Sequence, residues 1–210
     1  MMKRIALALG AAALVASGMA QAALVKQDLL TAGDGLVTLD TSTHLEWLKL
    51  TATQNLSVDA VQGGAGGWTG LGFQYGSFGQ VGQLLNDAGY LGDISNYGTL
   101  DLIADNVSAN TFLTDFGSTA PPNLTFGFIA PYPCGRTIGS STSCTDYVQI
   151  NANGSSNHGY AIPDSGAFGT DVARPYVGSF LVRTVPEPGS GALLLSGLTA
   201  LGFALRRRGR

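Results

Sequence analysis

The segment GLVTLDTSTHLEWLKL, residues 35–50, determines how the fold begins. Apolar and polar residues alternate over 36–40, and this pattern predicts a strand. Residues 45–50 are a second strand candidate, and residues 41–43 form the turn between the two. A glycine-containing turn at residues 31–35 precedes the first strand. We therefore expect the domain to begin with two strands joined by a short turn.

Two helices are predicted after these strands. Ser77 and Gln80 form a capping box for the first helix, and Gly89 suits the left-handed position that ends it. The second helix is expected over residues 106–116, with Gly117 after it. Each helix has one apolar face, made by Phe78, Val81, Leu84, Leu85 and Ala88 in the first and by Ala109, Phe112, Leu113 and Phe116 in the second.

After the second helix the pattern changes to strands, with candidates at residues 124–130, 147–150 and 177–182. The order of strands, helices and further strands predicts an α+β fold with an antiparallel sheet. Residues 23–185 have the usual size of one domain. We expect the last strand to pair beside the first, which would bring the two ends of the domain together.

Composition and charge limit the class of protein. The chain has 210 residues, of which 45 % are apolar and 12 % are charged, and this favours a folded domain over a disordered chain. Between residues 23 and 185 there are five basic and thirteen acidic residues, so this part carries a charge of −8. We do not expect such an acidic domain to bind nucleic acid.

The first 22 residues have the organisation of a secretory signal peptide. Lys3 and Arg4 provide the positive start, and residues 5–15 are apolar and uncharged. Ala20 and Ala22 supply the small side chains that signal peptidase requires at its cleavage site. A transmembrane anchor is the alternative, but the apolar run is short and a cleavage motif follows it. Without a twin-arginine pair, the general secretion route is expected.

The last 25 residues contain three parts in a fixed order. Pro186, Glu187 and Pro188 come first, and residues 189–205 are uncharged and include six leucines. As a helix this run would span about 25 Å, a little less than a hydrocarbon core of about 30 Å, so we expect a marginal transmembrane helix. Basic residues stay on the cytoplasmic side, so the domain before the helix is expected outside the cytoplasm. The residues that fix this topology are Arg206, Arg207, Arg208 and Arg210.

This tail resembles the PEP-CTERM sorting signal of Gram-negative bacteria. The resemblance rests on the motif at residues 186–188, the apolar helix at 189–205 and the basic cluster at 206–210. It implies recognition by an exosortase, processing near the Pro-Glu-Pro motif, a transient anchor in the inner membrane, and a link to exopolysaccharide and biofilm formation. The alternatives are a cell-wall sortase signal, which needs a Leu-Pro-x-Thr-Gly motif, a GPI signal, which ends in its apolar tail, and a simple tail anchor.

A second resemblance covers parts of the exported domain. Residues 44–48, 72–77 and 178–183 are similar to three segments of an ectodomain that recurs in PEP-CTERM proteins. Gln74 and Gln80 stand where that pattern has arginine and glutamate, so any ion pair that those residues make elsewhere is lost here. The order of elements is similar to that of C-type-lectin-like folds.

The only two cysteines, Cys134 and Cys144, are expected to form a disulfide. Export places them in an oxidising compartment, and Pro133, Gly135 and Gly139 favour a turn between them. The alternative is a zinc or redox site. Nine residues separate the cysteines, however, and no histidine pair completes a metal site.

No residue pattern indicates a catalytic centre. His44 and His158 are the only histidines, and the nucleophile-elbow, zinc-protease and dinucleotide-binding motifs are absent. Asp101 and Asp105 lie four residues apart, but acidic residues are scattered throughout the chain, so the sequence does not select a glycosidase pair. We therefore expect neither enzymatic activity nor a cofactor.

Calcium and sugar are the remaining ligand candidates. Oxygen-bearing side chains near Asp34, near Asp105 and over residues 151–153 suit Ca²⁺, but they do not follow EF-hand spacing, and no metal site is assigned. Trp47 is expected in the core because it lies in an alternating strand. Trp68 lies in a glycine-rich loop and is the candidate for stacking on a sugar.

Three functions remain open from the sequence. The first is a non-catalytic surface or extracellular-matrix protein, sorted through its C-terminal tail. The second is a module that binds extracellular polysaccharide, with or without calcium. The third is a secreted hydrolase with an unfamiliar site, which a cluster of carboxylates around His158 would indicate.

Overall fold

The computed structural model describes residues 24–92, 102–138, 140–152 and 158–185. The predicted signal peptide, the predicted sorting tail and Asp101 lie outside these ranges. Among the residues within them, no helix has the length and apolar character needed to cross a membrane.

Within the ranges described above, five short strands form the first sheet. They are β1 (Leu24–Gln27), β2 (Val37–Asp40), β3 (Leu45–Leu48), β4 (Gln74–Tyr75) and β11 (Leu181–Thr184). Their order is β1-β2-β3-β11-β4, and all neighbours are antiparallel. The two strands predicted at the start of the domain are therefore confirmed as β2 and β3. The second is shorter than predicted, because Leu50–Thr53 forms a 3₁₀ turn.

Six further strands of the described residues form the second sheet. They are β5 (Leu102–Asp105), β6 (Leu124–Phe128), β7 (Tyr132–Ile138), β8 (Ser141–Asn151), β9 (His158–Gly169) and β10 (Val177–Ser179). The order is β10-β6-β8-β9-β5, and β7 also pairs with β8. Only the pair of β10 and β6 is parallel. Together with the helices, the two sheets make one mixed α+β domain, as the sequence predicts.

In the part of the chain that the structure describes, three α-helices connect these strands: α1 (Val58–Gln62), α2 (Phe78–Asp87) and α3 (Asn106–Phe116). The Ser57 hydroxyl caps α1, and the predicted capping box of Ser77 and Gln80 is present at the start of α2. The Asp105 carboxylate caps α3 by accepting a hydrogen bond from the Ser108 N–H. Each cap satisfies a backbone donor that the helix itself leaves unpaired.

The largest apolar cluster contains side chains from both sheets and from α2 and α3. Trp47, on β3, is 1 % exposed, which confirms its predicted place in the core. Its ring meets the edge of Phe180 with centroids 6.3 Å apart. On α3, Phe112 and Phe116 stack with centroids 4.2 Å apart. The cluster therefore joins the two sheets and the longer helices into one core.

The strand predicted over residues 177–182 differs from the prediction. It divides at Phe180, so β10 belongs to the second sheet and β11 to the first. The Phe180 N–H donates to the Phe128 carbonyl oxygen, and the Phe180 carbonyl oxygen accepts from Gly76, each at 2.8 Å. β11 lies between β3 and β4. The prediction that the last strand pairs beside the first was wrong, because the chain passes from Phe180 into the position between β3 and β4.

Candidate functional site

The fold holds the chain up to the residue before the Pro-Glu-Pro motif. β11 ends at Thr184, and the Val185 N–H donates to the His44 carbonyl oxygen at 3.2 Å. His44 lies in the turn between β2 and β3 and has a φ of +56°. Pro186 follows Val185 directly in the sequence. The predicted tail therefore leaves the domain without a spacer.

Arg183 makes three contacts that fix the end of β11. Its Nε donates to Glu46 Oε2 at 2.5 Å, and its Nη1 donates to the Leu71 carbonyl oxygen at 3.0 Å. Its guanidinium carbon lies 4.7 Å from the centroid of the Phe73 ring, within the range of a cation–π contact. We refer to Glu46, Leu71, Phe73, Arg183 and Val185 as the tail root.

The pairing of Arg183 with Glu46 follows from the register of the sheet. The two residues lie directly opposite each other on β11 and β3, where opposite charges attract across the strands. The Glu46 side chain is 7 % exposed and the Arg183 side chain 28 %. Removing the arginine would leave a nearly buried carboxylate without its cation, which costs more than an exposed ion pair contributes.

A cleft of about 400 Å³ borders the tail root. Leu71 is 40 % exposed, and Gly72 has a φ of +85°, a conformation that glycine adopts without strain. The cleft therefore places an apolar group and an ion pair beside the point where the chain leaves the domain. It is lined by Glu46, Leu71, Gly72, Arg183, Thr184 and Val185.

The two cysteines are bonded to each other in the structure. Cys134 lies on β7 and Cys144 on β8, with their Cα atoms 5.0 Å apart. Tyr132, two residues before Cys134, is the register partner of Cys144. The disulfide therefore ties the two strands of this hairpin, and no cysteine remains free.

His44, His158 and Asp105, for which the sequence predicts no catalytic centre, make backbone contacts in the fold. The backbone of His158 pairs with that of Asp105 at the start of β9. The Asp105 carboxylate caps α3, and the His44 carbonyl holds Val185. Within the described ranges, no group of three or more His, Cys, Asp or Glu side chains is placed to hold a metal ion.

Two carboxylates close the loop between β1 and β2. Asp34 lies near the centre of this loop, and backbone N–H groups, that of Thr31 foremost, lower its pKa to about 2. Asp28 accepts hydrogen bonds from the N–H groups of Gly33 and Gly35. The oxygens near Asp34 that the sequence suggested for calcium are thus engaged by the loop's own backbone. The donors to Asp34 are the N–H groups of Leu29, Leu30, Thr31 and Leu36.

A second carboxylate cluster connects the first sheet to α2. Asp40 accepts hydrogen bonds from the hydroxyls of Ser42 and Thr43, each at 2.7 Å. The Ser42 hydroxyl also lies 2.6 Å from Asp87 Oδ2. Burial raises the pKa of Asp40, but the hydrogen bonds from Thr43 and Ser42 outweigh it and hold the pKa below its usual value. Asp40 therefore stabilises the turn between β2 and β3 in its charged, carboxylate form.

Trp68, the predicted sugar-stacking residue, is 8 % exposed. It belongs to an apolar cluster with Leu48, Phe73 and Leu181. The glycine-rich segment around it forms two 3₁₀ turns rather than an open loop. The ring is therefore part of the core and has no open face for a sugar.

Half-buried aromatic rings lie instead on the second sheet. Tyr147 on β8 meets Phe126 on β6 edge to face at 5.5 Å and stacks on Phe168 of β9 at 5.3 Å. The guanidinium carbon of Arg174 lies 4.4 Å from the Phe168 centroid. We refer to Phe126, Tyr147, Phe168 and Arg174 as the aromatic row. Sequence analysis missed it because only the strand register brings these residues together.

A family model, the PEP-CTERM protein-sorting motif, matches residues 184–208. The match begins at the last residue of β11 and covers the Pro-Glu-Pro motif and the apolar run. It shows that the chain carries this sorting signal, which implies export, a transient C-terminal membrane anchor and sorting by an exosortase. Neither the curated proteins nor the solved structures gave a match.

Proposed function

We propose that this chain is a non-enzymatic protein of the cell surface or extracellular matrix, released from the inner membrane by an exosortase acting near residues 186–188. The observation that carries the proposal is the PEP-CTERM motif, which follows a folded domain directly. In this scheme signal peptidase removes residues 1–22, and the helix at 189–205 holds the domain at the membrane. Processing then frees the domain to act with exopolysaccharide in a biofilm.

The disulfide and the acidic surface support this scheme. A Cys134–Cys144 bond suits a protein that works outside the cytoplasm, because thiols stay reduced inside it. The charge of −8 over residues 23–185 opposes attraction to anionic lipid headgroups. Once the tail is processed, such a domain is expected to leave the membrane rather than to adhere to it.

The test compares three forms of the full chain in cells with and without an exosortase. The first is unaltered, the second lacks residues 186–210, and the third has alanine at positions 186–188 but keeps the apolar helix and the arginines. We expect the C-terminal tail of the unaltered chain to be removed, and the domain to leave the membrane, only when the exosortase is present. The alanine form should remain membrane-bound with its C-terminal tail intact. Unchanged processing and location in either altered form would contradict the proposal.

Polysaccharide binding is the second candidate function, and the aromatic row favours it. Aromatic rings provide flat apolar faces with polar edges, which suit the faces of sugar rings. Gln149 and Asn151 follow Tyr147 at alternate positions of β8, so their amides lie on the same face of the sheet. Arg174 adds a cation at the end of the row.

Electrophoresis through gels containing the host's exopolysaccharide tests this candidate. We expect the polysaccharide to retard the exported protein and the Tyr147→Ala variant to lose most of that retardation. Tyr176→Ala is the matched control, because Tyr176 is 58 % exposed but is not part of the row. Equal mobility of the protein with and without polysaccharide would remove this candidate.

A further inference from the structure

We propose that the tail root is a latch, which must open before an exosortase can process the Pro-Glu-Pro motif. The folded domain would then control the rate of its own release from the membrane. This inference rests on the proposed function, since it concerns access to the same sorting motif.

The motif lies very close to the folded domain. Val185 is hydrogen-bonded to His44, and consecutive Cα atoms across a trans peptide are about 3.8 Å apart. Pro186 therefore begins the motif within one residue of a backbone group held in the sheet. An enzyme that binds a peptide as an extended strand uses main-chain groups over several residues. On the N-terminal side of the motif, those residues are Arg183, Thr184 and Val185.

The end of β11 is held less firmly than its beginning. Leu181 and Val182 pair with β4 and are buried, so they are firmly held. Arg183 and Thr184 pair with β3 only. A short segment from Arg183 onward is therefore able to detach while the core around Val182 stays in place. Proline has no N–H group, so Pro186 cannot extend the ladder and strengthen the attachment.

The Arg183 side chain opposes detachment of this segment from the domain. The side chain of Arg183 holds this segment through Glu46, the Leu71 carbonyl oxygen and the Phe73 ring. These three groups come from β3 and from the segment that leads into β4, so the arginine ties the strand on both sides. Arg183 is thus a positioning residue for the processing reaction, and its loss should increase the fraction of chains with an accessible motif.

The first experiment measures conversion of the full chain by pulse-chase in cells that contain an exosortase. We expect Arg183→Ala to be processed about five- to tenfold faster, the change expected when a partly exposed ion pair and a cation–π contact are lost. Lys26→Ala is the control, because Lys26 is also a cation that donates to a backbone carbonyl oxygen, that of Thr114, but it lies on β1, which does not pair with β11. It should be processed at the unaltered rate. An equal or slower rate for Arg183→Ala would overturn the latch.

The second experiment keeps the domain unaltered. Gly-Ser-Gly-Ser-Gly is inserted between Val185 and Pro186, which supplies an extended segment without opening the tail root. We expect conversion to accelerate by a similar factor, and Arg183→Ala to add nothing in this background. Because no residue of the domain changes, this variant decides the question even where Arg183→Ala impairs folding. Conversion at the unaltered rate after insertion would contradict the inference.

The alanine form at positions 186–188 separates the two proposals. Loss of conversion in that form, in every background, is expected if the exosortase acts through the motif. Conversion that continues without the motif would remove the proposed function and the latch together. Conversion that needs the motif but is insensitive to both Arg183→Ala and the insertion would remove only the latch.

Discussion

Two glycines permit close contact at the junction of the two sheets. A Cβ on Gly178 would lie 2.1 Å from the Leu50 carbonyl oxygen, and a Cβ on Gly127 would lie 2.5 Å from the Phe180 ring. A ring can move slightly, but a backbone oxygen in a fixed turn cannot. Gly178 is therefore needed for the approach of β10 to the 3₁₀ turn that contains Leu50.

The substitution Gly178→Ala should lower the free energy of unfolding by about 2–3 kcal/mol, because the backbone must shift to admit the methyl group. Gly79→Ala is the control, since the space around Gly79 is open and α2 prefers alanine to glycine. That variant should be as stable as the unaltered protein or slightly more so. Urea denaturation of the three proteins measures both effects, and equal midpoints for Gly178→Ala would contradict the close approach.

Asp34 should make stability depend on pH in acid. Its pKa is lowered from 3.8 to about 2 in the folded protein. The stabilisation is therefore fully present above the unfolded pKa and is lost as the pH falls through the folded one. We expect Asp34→Asn to be less stable than the unaltered protein at pH 6, and the difference to diminish between pH 4 and pH 2. Urea midpoints across this range measure it.

Asp115 provides a control of opposite sign. Burial raises its pKa, although Lys26 and Lys49 partly offset this effect. A raised carboxyl pKa gives stability that is present at low pH and is lost as the pH rises. Asp115→Asn should therefore be equal to or more stable than the unaltered protein near neutral pH. The same pH trend for the Asp34 and Asp115 variants would contradict one assignment, namely the one whose predicted sign is not observed.

Among the elements, the β7–β8 hairpin depends on its disulfide. The bonded cysteines are ten residues apart in sequence. By the chain-entropy model, a closed loop of this size restricts the unfolded chain by about 2.7 kcal/mol. The double variant Cys134→Ser, Cys144→Ser should lose about this amount, measured by urea denaturation. Reductant should weaken the unaltered protein and leave the double variant unchanged, whereas sensitivity of the variant would show that the reductant acts elsewhere.

Local signals identified the helices, but they located only residues 147–150 of β8 and did not identify β9. α2 and α3 have a cap and an apolar face within a dozen residues, so the sequence places them correctly. β9 contains a proline and three glycines within twelve residues, a composition that locally favours turns. Its extended form depends on pairing with β8 and β5, and such non-local pairing is invisible in a single sequence.

In the candidate site, too, the sequence predicts the features made by neighbouring residues and misses those made by residues far apart in the chain. The Pro-Glu-Pro motif is contiguous and was recognised from the sequence alone. The ion pair of Glu46 and Arg183 joins residues 137 positions apart, so it becomes visible only in the folded sheet. Trp68 was expected at the surface because glycine-rich segments usually form loops. Gly66 instead lets the backbone lie against the buried indole ring, since a Cβ at this position would lie 2.3 Å from Trp68 Nε1.

At the scale of the whole molecule, the two sheets share one continuous segment of chain. β10 belongs to the second sheet and β11 to the first, and only Phe180 separates them. Its ring is 1 % exposed and contacts Trp47, while its backbone bonds to Phe128 and Gly76. Neither sheet can detach without disrupting this residue, so the domain is expected to unfold in a single transition.

Phe180→Ala should lower the free energy of unfolding by about 3–5 kcal/mol, because it removes a buried ring where both sheets meet. Tryptophan fluorescence reports on the first sheet and its adjoining cluster through Trp47 and Trp68, and amide hydrogen exchange in β8 and β9 reports on the second. Both probes should shift to lower urea by the same amount. Leu91→Ala is the control, since Leu91 is 76 % exposed and its loss should change stability by less than about 0.5 kcal/mol. Separate transitions for the two probes in the unaltered protein would show that the sheets unfold independently. Opening of the latch at the end of β11 would then depend on the stability of the first sheet alone.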